Sequence, residues 1–187
     1  MARLPLLSEP LQSEIVRLRD GAERDIPEIL IAYEDDSALH RRLGQDRPPS
    51  GAQLGRRAET EAADRGAGSR ATLTIVDPGS DLCLGQVSVH HFDWEHARAE
   101  LSLWVAPHAR GRGLGSGALS LATRWLLGRC GVERVQLLVA LDNEPMLHAA
   151  ARAGFVHEGV LHGYVRARPR RVDVAILSLL PGDPVPA

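Results

Sequence analysis

The chain has 187 residues with 44% apolar and 25% charged side chains, a formal net charge of −2 and a pI near 6.4. These values are ordinary for one globular domain, and they exclude a nucleic-acid or membrane partner recognised through bulk charge. All 22 basic residues are Arg, which excludes a Schiff-base lysine and a P-loop lysine. Cys83 and Cys130 lie far apart and no apolar run can span a bilayer, so we expect a reduced, cytoplasmic protein.

The pattern of apolar residues predicts a mixed α/β chain. Residues 1–13 are expected to form an irregular N-terminal arm, 14–182 one domain and 183–187 a C-terminal tail. Apolar spacing and turn signals predict about seven strands and about four helices. The predicted strands are 15–19, 73–76, 82–90, 99–105, 134–140, 155–163 and 172–180, with a hairpin turn near 93–98. The predicted helices are 26–33, 52–65, a long one from 114, and 145–153.

A run of alternating glycines at 111, 113 and 115 separates a predicted strand from the long helix. Glycine lets successive N–H groups turn into one concavity, and the helix N-terminus adds unpaired donors and a favourable dipole. This pattern predicts a cradle for a phosphate or pyrophosphate. Residues 113–118 also match the dinucleotide fingerprint G-x-G-x-x-A. The hairpins before them and the fewer than about 75 residues after them exclude a six-stranded doubly wound sheet.

The segment from Trp104 to Gly115, which contains Arg110-Gly111-Arg112-Gly113-Leu114-Gly115, resembles the Q/R-x-x-G-x-G/A signature of the GNAT superfamily of N-acetyltransferases. Asn143 and the later Gly154-Phe155 match the same family. The opening strand at 15–19 and the closing strand at 173–180 resemble the branch typified by ribosomal-protein alanine N-acetyltransferases. The resemblance covers about 14–182 and identifies that span as an N-acetyltransferase domain.

The resemblance implies a single-domain fold with a splayed mixed sheet and acetyl-CoA as cofactor. Strands 99–105 and 134–140 would part into a V that holds the pantetheine arm. Backbone groups near Trp104 and Val105 would pair with that arm, and Asn143 would hydrogen-bond the pantetheine or orient the acyl group. The pyrophosphate would lie on the N–H groups of 111–116, with charge added by two arginines. These cofactor-binding residues are Arg110, Gly111, Arg112, Gly113, Leu114, Gly115 and Ser116.

The chemistry of acetyl transfer requires a neutral amine, a stabilised oxyanion and a leaving thiolate. Glu100 lies on the polar face of its strand, and the resemblance implies that it is the general base; the alternative is a structural carboxylate paired with Arg98. The acid for the thiolate is less defined, because Met146 and Leu177 stand where relatives have hydroxyl groups. Tyr164 and His148 are the remaining candidates, and Tyr164 is taken with Glu100 and Asn143 as catalytic.

The polar stretch from His90 to His96 contains potential metal ligands. Adjacent strand residues face opposite sides, so His90 and His91 are not expected to share an ion, and no metal site is predicted. The expected activity is acetyl transfer to a primary amine, on a protein N-terminus or a small molecule, by direct attack in a ternary complex. A weak or inactive acetyl-CoA-binding module is the alternative. The sequence determines neither the acceptor nor the oligomeric state. The resemblance suggests a homodimer, because homodimers are common in the family.

Overall fold

The computed structural model describes residues 4–167 and 170–183; the outer residues of the predicted arm and tail, 1–3 and 184–187, lie outside this part. Eight strands form one sheet in the order β1-β2-β3-β4-β5-β6-β8-β7. The strands are β1 (Leu11–Gln12), β2 (Arg17–Asp20), β3 (Ala71–Val76), β4 (Cys83–Asp93), β5 (Arg98–Val105), β6 (Arg134–Ala140), β7 (Val156–Ala167) and β8 (Arg170–Leu179). The α-helices are α1 (Ile26–Asp35), α2 (Leu39–Arg42), α3 (Gly51–Ala67), α4 (Leu114–Arg129) and α5 (Glu144–Arg152).

The sheet is mixed, as predicted. Strands β1 to β5 are antiparallel neighbours, β5 and β6 are parallel, and β8 pairs antiparallel with both β6 and β7. The described residues contain one strand and one helix more than the predicted seven and four. The additional elements are β1, two residues inside the predicted irregular arm, and α2, a single turn. Neither is long enough to show a hydrophobic period, so the pattern could not reveal them.

The two faces of the sheet differ in polarity. On one face Val87, Val89 and Leu101 are at most 2% exposed, and they belong to the core that contains the apolar stripe of α4. Helix α4 approaches the start of β2 so closely that a Cβ on Gly117 would lie 2.6 Å from Cγ2 of Val16. Helices α1 and α3 cover the opposite face of β3, β4 and β5. As a result, polar side chains of β4, β5 and β6 lie on the sheet face that α1 covers.

Helix α3 begins where its sequence predicts. The Ser50 hydroxyl accepts a hydrogen bond from the Gln53 N–H, and the Gln53 side chain accepts one from the Ser50 N–H, which is a capping box. Among the helices in the described part of the chain, none combines the length and hydrophobicity that crossing a bilayer requires.

Candidate active site

The central feature of the site is a gap between β5 and β6. The parallel ladder joins the two strands only from Arg98 opposite Arg134 to Leu101 opposite Leu137. Beyond these pairs β5 remains bonded to β4 and β6 remains bonded to β8, so the two strands part toward their carboxyl ends. The predicted V between 99–105 and 134–140 is therefore confirmed.

The strand register determines which backbone groups of β5 face this gap. The Ala106 N–H donates to the Leu84 carbonyl at 2.8 Å, and bonded and non-bonded pairs alternate along an antiparallel ladder. Trp104 therefore turns its N–H and C=O toward β4, whereas Leu103 and Val105 turn theirs toward the gap. Near Trp104, the groups available to an extended ligand are the N–H and C=O of Leu103 and the N–H of Val105, because the Val105 carbonyl accepts a hydrogen bond from Arg110. Trp104 itself contributes a buried indole ring.

The glycine loop lies directly before α4 and has positive backbone angles at two of its glycines. Gly111 and Gly113 have φ values of 78° and 77°, separated by Arg112, and such alternation turns successive N–H groups to one side. Gly113 is the N-cap, and the first α-helical bond runs from the Gly117 N–H to the Gly113 carbonyl at 3.0 Å. The N–H groups of 114–116 consequently have no partner within the helix. The loop combines free donors, positive backbone angles and a helix dipole in one place.

The two arginines of this loop have different environments. Arg110 donates from Nε to the Val105 carbonyl at 2.9 Å and from Nη2 to Oδ2 of Asp36 at 2.6 Å. Burial raises the pKa of Asp36, but the hydrogen bonds from Arg110 and the Ala38 N–H outweigh burial and leave it below its usual value. Arg112 makes one long bond, 3.4 Å, to the His108 carbonyl. Arg110 thus ties β5 to the end of α1, and Arg112 is the arginine with donors to spare for a phosphate.

Asn143 and Tyr164 lie at different distances from β6. Asn143 is the half-buried N-cap of α5, directly after β6, and its side chain makes no capping hydrogen bond, which leaves its amide available to a ligand in the gap. Tyr164 is 52% exposed on the edge strand β7. β7 lies two strands from β6, about 10 Å at the usual strand spacing. Asn143 thus follows the carboxyl end of β6, the end toward which β5 and β6 part, and Tyr164 lies two strands from β6.

Glu100 lies on the polar face of β5, and its side chain is 12% exposed. Its Oε2 accepts a hydrogen bond from Nε2 of Gln136 on β6 at 3.3 Å. Its Oε1 lies 3.9 Å from Nδ1 of His90 and 3.5 Å from Nδ1 of His91. Arg98, the partner considered from the sequence, instead pairs with Asp93 at 2.8 Å. The Glu100 carboxylate therefore faces two imidazoles and an amide.

The position of His91 corrects an expectation from the sequence. The ladder pairs His90 with Glu100 and then Asp93 with Arg98, so β4 has one residue more than β5 between these pairs. His91 takes a φ of 50°, as one residue of such a bulge often does. The bulge turns both imidazoles to the same side, with their Nδ1 atoms 3.1 Å apart. The expectation that neighbouring residues face opposite sides was wrong here, because it holds only for a regular strand.

His90 connects this cluster to the neighbouring cavity. Its Nε2 lies 3.1 Å from Oγ of Ser102, and burial lowers its pKa, an effect that Glu100 opposes and the nearby His91 and Arg70 reinforce. A cavity of about 250 Å³ lies beside it, between the β4–β5 face and the helices α1 and α3. The lining residues are Ile29, Tyr33, Leu43, Gln45, Leu54, Arg57, Arg70, Gln86, Ser88, His90, Ser102 and Trp104.

Sequence reasoning missed most of this cavity. Tyr33 donates to Oε1 of Gln45 at 3.1 Å, and its ring lies 6.5 Å from that of Trp104. In the sequence, Tyr33 is only the last residue of the predicted helix 26–33. The alternation of polar residues along β4 and β5 could have revealed the polar wall, but no local signal reveals which helix faces it.

The fold of this chain is similar to that of solved acetyltransferases. The spermidine N-acetyltransferase of Vibrio cholerae, solved in complex with CoA and spermine, aligns with a TM-score of 0.78 at 19% identity, covering 91% of this chain and 98% of that one. The ribosomal-protein-S5-alanine acetyltransferase of Vibrio fischeri aligns with a TM-score of 0.79 at 16% identity, covering 93% and 97%. At these identities the likeness defines the fold.

The sequence itself establishes the family. Residues 16–156, well over half of the chain, match the family model of the acetyltransferase (GNAT) domain, and the chain belongs to that family. The uncharacterized N-acetyltransferase p20 of Bacillus licheniformis is 26% identical over 113 residues, which are 60% of this chain and 64% of that protein. The chain thus spans less than two thirds of the length of this relative.

Proposed function

We propose that the chain transfers an acetyl group from acetyl-CoA to a primary amine by direct attack in a ternary complex. The observation that carries this proposal is the junction of three features: the β5–β6 gap, the glycine loop at one end of it, and the cavity that His90 connects with Glu100. A thioester held in the gap would meet an amine held in the cavity. Holding both reactants in line supplies much of the acceleration of such a reaction.

The cofactor would be bound mainly by backbone groups. The N–H groups of the loop and of the first turn of α4 would hold the pyrophosphate, with Arg112 adding charge, and Arg110 would fix the loop to β5. The gap-facing groups of Leu103 and Val105 would pair with the pantetheine arm. Asn143 would donate its free amide to the arm or to the thioester carbonyl.

The reaction needs one proton acceptor. The amine nitrogen attacks the thioester carbon, the C–S bond breaks, and the proton lost by the amine passes to Glu100 directly or through water. The thiolate of CoA leaves and takes a proton from solvent. Direct attack is favoured over an acetyl-cysteine route because burial raises the pKa of both Cys83 and Cys130 to about 12, which keeps these thiols protonated.

The charge of the cavity points to a class of acceptor. Arg57 and Arg70 line it, and neither makes an ion pair within residues 4–167 and 170–183. Two such guanidinium groups repel a polycation and attract an anion. We therefore propose an acceptor amine carried by a molecule with a nearby carboxylate, such as a peptide with an N-terminal alanine followed by acidic residues.

The test measures acetylated product by mass spectrometry for three acceptors: an acidic peptide, the same peptide with its acidic residues amidated, and spermidine. We expect kcat/KM to fall in that order, and Glu100→Gln to lower kcat at least about 100-fold while the Kd of CoA stays constant. A preference for spermidine would overturn the acceptor class. The absence of product with any amine, in a protein that still binds acetyl-CoA, would instead favour the non-catalytic module.

A further inference from the structure

The cluster of His90, His91 and Glu100 has the geometry of three ligands on one metal ion. The three distances between their facing atoms, the two Nδ1 atoms and Oε1, are 3.1, 3.5 and 3.9 Å. A tetrahedral zinc ion with bonds of about 2.0–2.1 Å places its ligand atoms about 3.3–3.4 Å apart. Small side-chain rotations would bring all three atoms to that separation.

Two of the three side chains also contact residues outside the cluster, as metal ligands usually do. His90 contacts Oγ of Ser102 through its second ring nitrogen, Nε2, at 3.1 Å. Glu100 uses its second oxygen to accept the hydrogen bond from Gln136 at 3.3 Å. Such outer contacts fix the tautomer of a ligating histidine and the orientation of a ligating carboxylate. Hydrogen bonds among His90, His91 and Glu100 alone would not require these outer contacts with Ser102 and Gln136.

The third side chain gives the site an entrance. The side chain of His91 is 76% exposed, whereas that of Glu100 is 12% exposed, so an ion can enter from solvent past His91 and reach the carboxylate. Two imidazoles and one carboxylate suit zinc and similar transition ions, whereas calcium and magnesium prefer oxygen ligands throughout. Three protein ligands leave the fourth tetrahedral position open to water or to an amine.

We propose that His90, His91 and Glu100 bind one zinc-type divalent cation, and that this ion inhibits acetyl transfer by occupying the Glu100 carboxylate. The inhibitory part rests on the proposed function, whereas the binding part does not. A carboxylate bound to a cation is a weaker proton acceptor. Zinc would therefore act as a reversible inhibitor of the amine half of the reaction.

The first experiment measures binding without activity. The chelator-treated protein is titrated with Zn²⁺ against a chromophoric chelator, and we expect one equivalent to bind. We expect His91→Ala to weaken the affinity at least about 100-fold and Ser102→Ala about 10–100-fold. His96→Ala is the matched control, because His96 is an exposed histidine in the turn of the same hairpin. Co²⁺ should give the intense visible absorption of four-coordinate cobalt. Equal affinities in all four proteins, or a weak six-coordinate cobalt spectrum, would overturn the site.

The second experiment measures inhibition. Acetylated product is followed by mass spectrometry, because zinc binds the thiol of free CoA and would distort a thiol assay. We expect zinc to inhibit the wild type at the concentration that fills the site, and to inhibit His91→Ala only at a concentration at least about 100-fold higher. Zinc binding without any acetyl transfer would refute the proposed function and leave the site intact. Acetyl transfer that is equally zinc-sensitive in both proteins would refute the inhibitory role.

Discussion

The two sides of the β5–β6 gap present different kinds of groups: backbone groups on one side and side chains on the other. On the cofactor side, the glycine loop and the start of α4 present backbone N–H groups, and their positions depend on the φ angles of Gly111 and Gly113. On the acceptor side, the cavity and the Glu100 cluster present side chains from α1, α3, β4, β5 and the loops at 43–45 and 70. The first set comes from one short segment, and the second from several separate parts of the chain.

This contrast predicts how each side responds to substitution. A backbone site is sensitive to a change of conformation and insensitive to most side chains, so the same loop can serve many relatives with one cofactor. A side-chain site changes with every residue that lines it, so relatives with the same fold can accept different amines. Gly113→Val and Tyr33→Phe, each with a matched control, test whether the two sides are separable in this way, and a third substitution tests the closed end of the V.

Gly113→Val should have the largest effect. Valine is strongly disfavoured at a φ of 77°, and relief of the strain rotates the adjacent peptides so that their N–H groups leave the concavity. We expect the affinity for CoA, measured by calorimetry, to fall at least about 100-fold, which is about 2.7 kcal/mol.

Gly131→Val is the matched control for this change. Gly131 follows the other end of α4 with a φ of 70°, and a Cβ there would meet no atom within 4 Å. We expect a comparable loss of melting temperature with the Kd of CoA unchanged. If both variants lose CoA equally, general destabilisation explains the result and the cradle loses its support.

The sequence predicted the secondary structure of the proposed cofactor side because that side is local. Its loop, the helix that follows and the flanking strands are consecutive, so spacing alone placed the glycines at a helix N-terminus. The parting of β5 and β6 came from the family resemblance, since no local pattern shows where two strands cease to pair. The functions assigned to Arg110, Asn143 and the loop residues stay predictions.

The acceptor side was predicted poorly because it depends on tertiary contacts and on one irregular residue. Glu100 was found by strand alternation, but the position of His91 required a bulge for which the sequence has no marker. The packing of α1 places Tyr33 in the cavity, and the apolar period of the helix does not predict this contact. Tyr164 remains a catalytic prediction from the sequence, although the structure places it on the edge strand.

The two tyrosines of the chain provide the second test. Tyr33→Phe removes the hydroxyl that donates to Gln45 in the cavity, and a lost hydrogen bond of this kind costs about 1 kcal/mol. We expect KM for the acceptor to rise about fivefold, with the Kd of CoA constant. Steady-state kinetics of Tyr164→Phe form the comparison. A lower kcat in that variant, with the Kd of CoA unchanged, would assign the thiolate's proton to Tyr164.

The smallest expected effect is on the free energy of unfolding, and it involves the closed end of the V, where β5 and β6 still pair. Glu158 on β7 reaches across β8 to Arg134 on β6 at 2.5 Å and accepts a hydrogen bond from Ser178 at 2.7 Å. The hydrogen bond from Arg134, followed by that from Ser178, lowers the pKa of Glu158 from 4.5 to about 2. The carboxylate therefore stabilises the folded state above pH 4.5, and this contribution is lost as the pH falls from 4.5 toward about 2.

Chemical denaturation of wild type and Glu158→Gln across this pH window measures the contribution. The Glu158 side chain is 36% exposed, so solvent screens the pair and we expect it to stabilise the fold by about 1 kcal/mol or less. The difference in unfolding free energy between the two proteins should be greatest above pH 4.5 and should shrink below it. Glu133→Gln, at an exposed position before β6, is the control and should follow the wild type. A constant difference between wild type and Glu158→Gln would mean that packing rather than charge joins β7 to β6, and that the closed end holds without its ion pair.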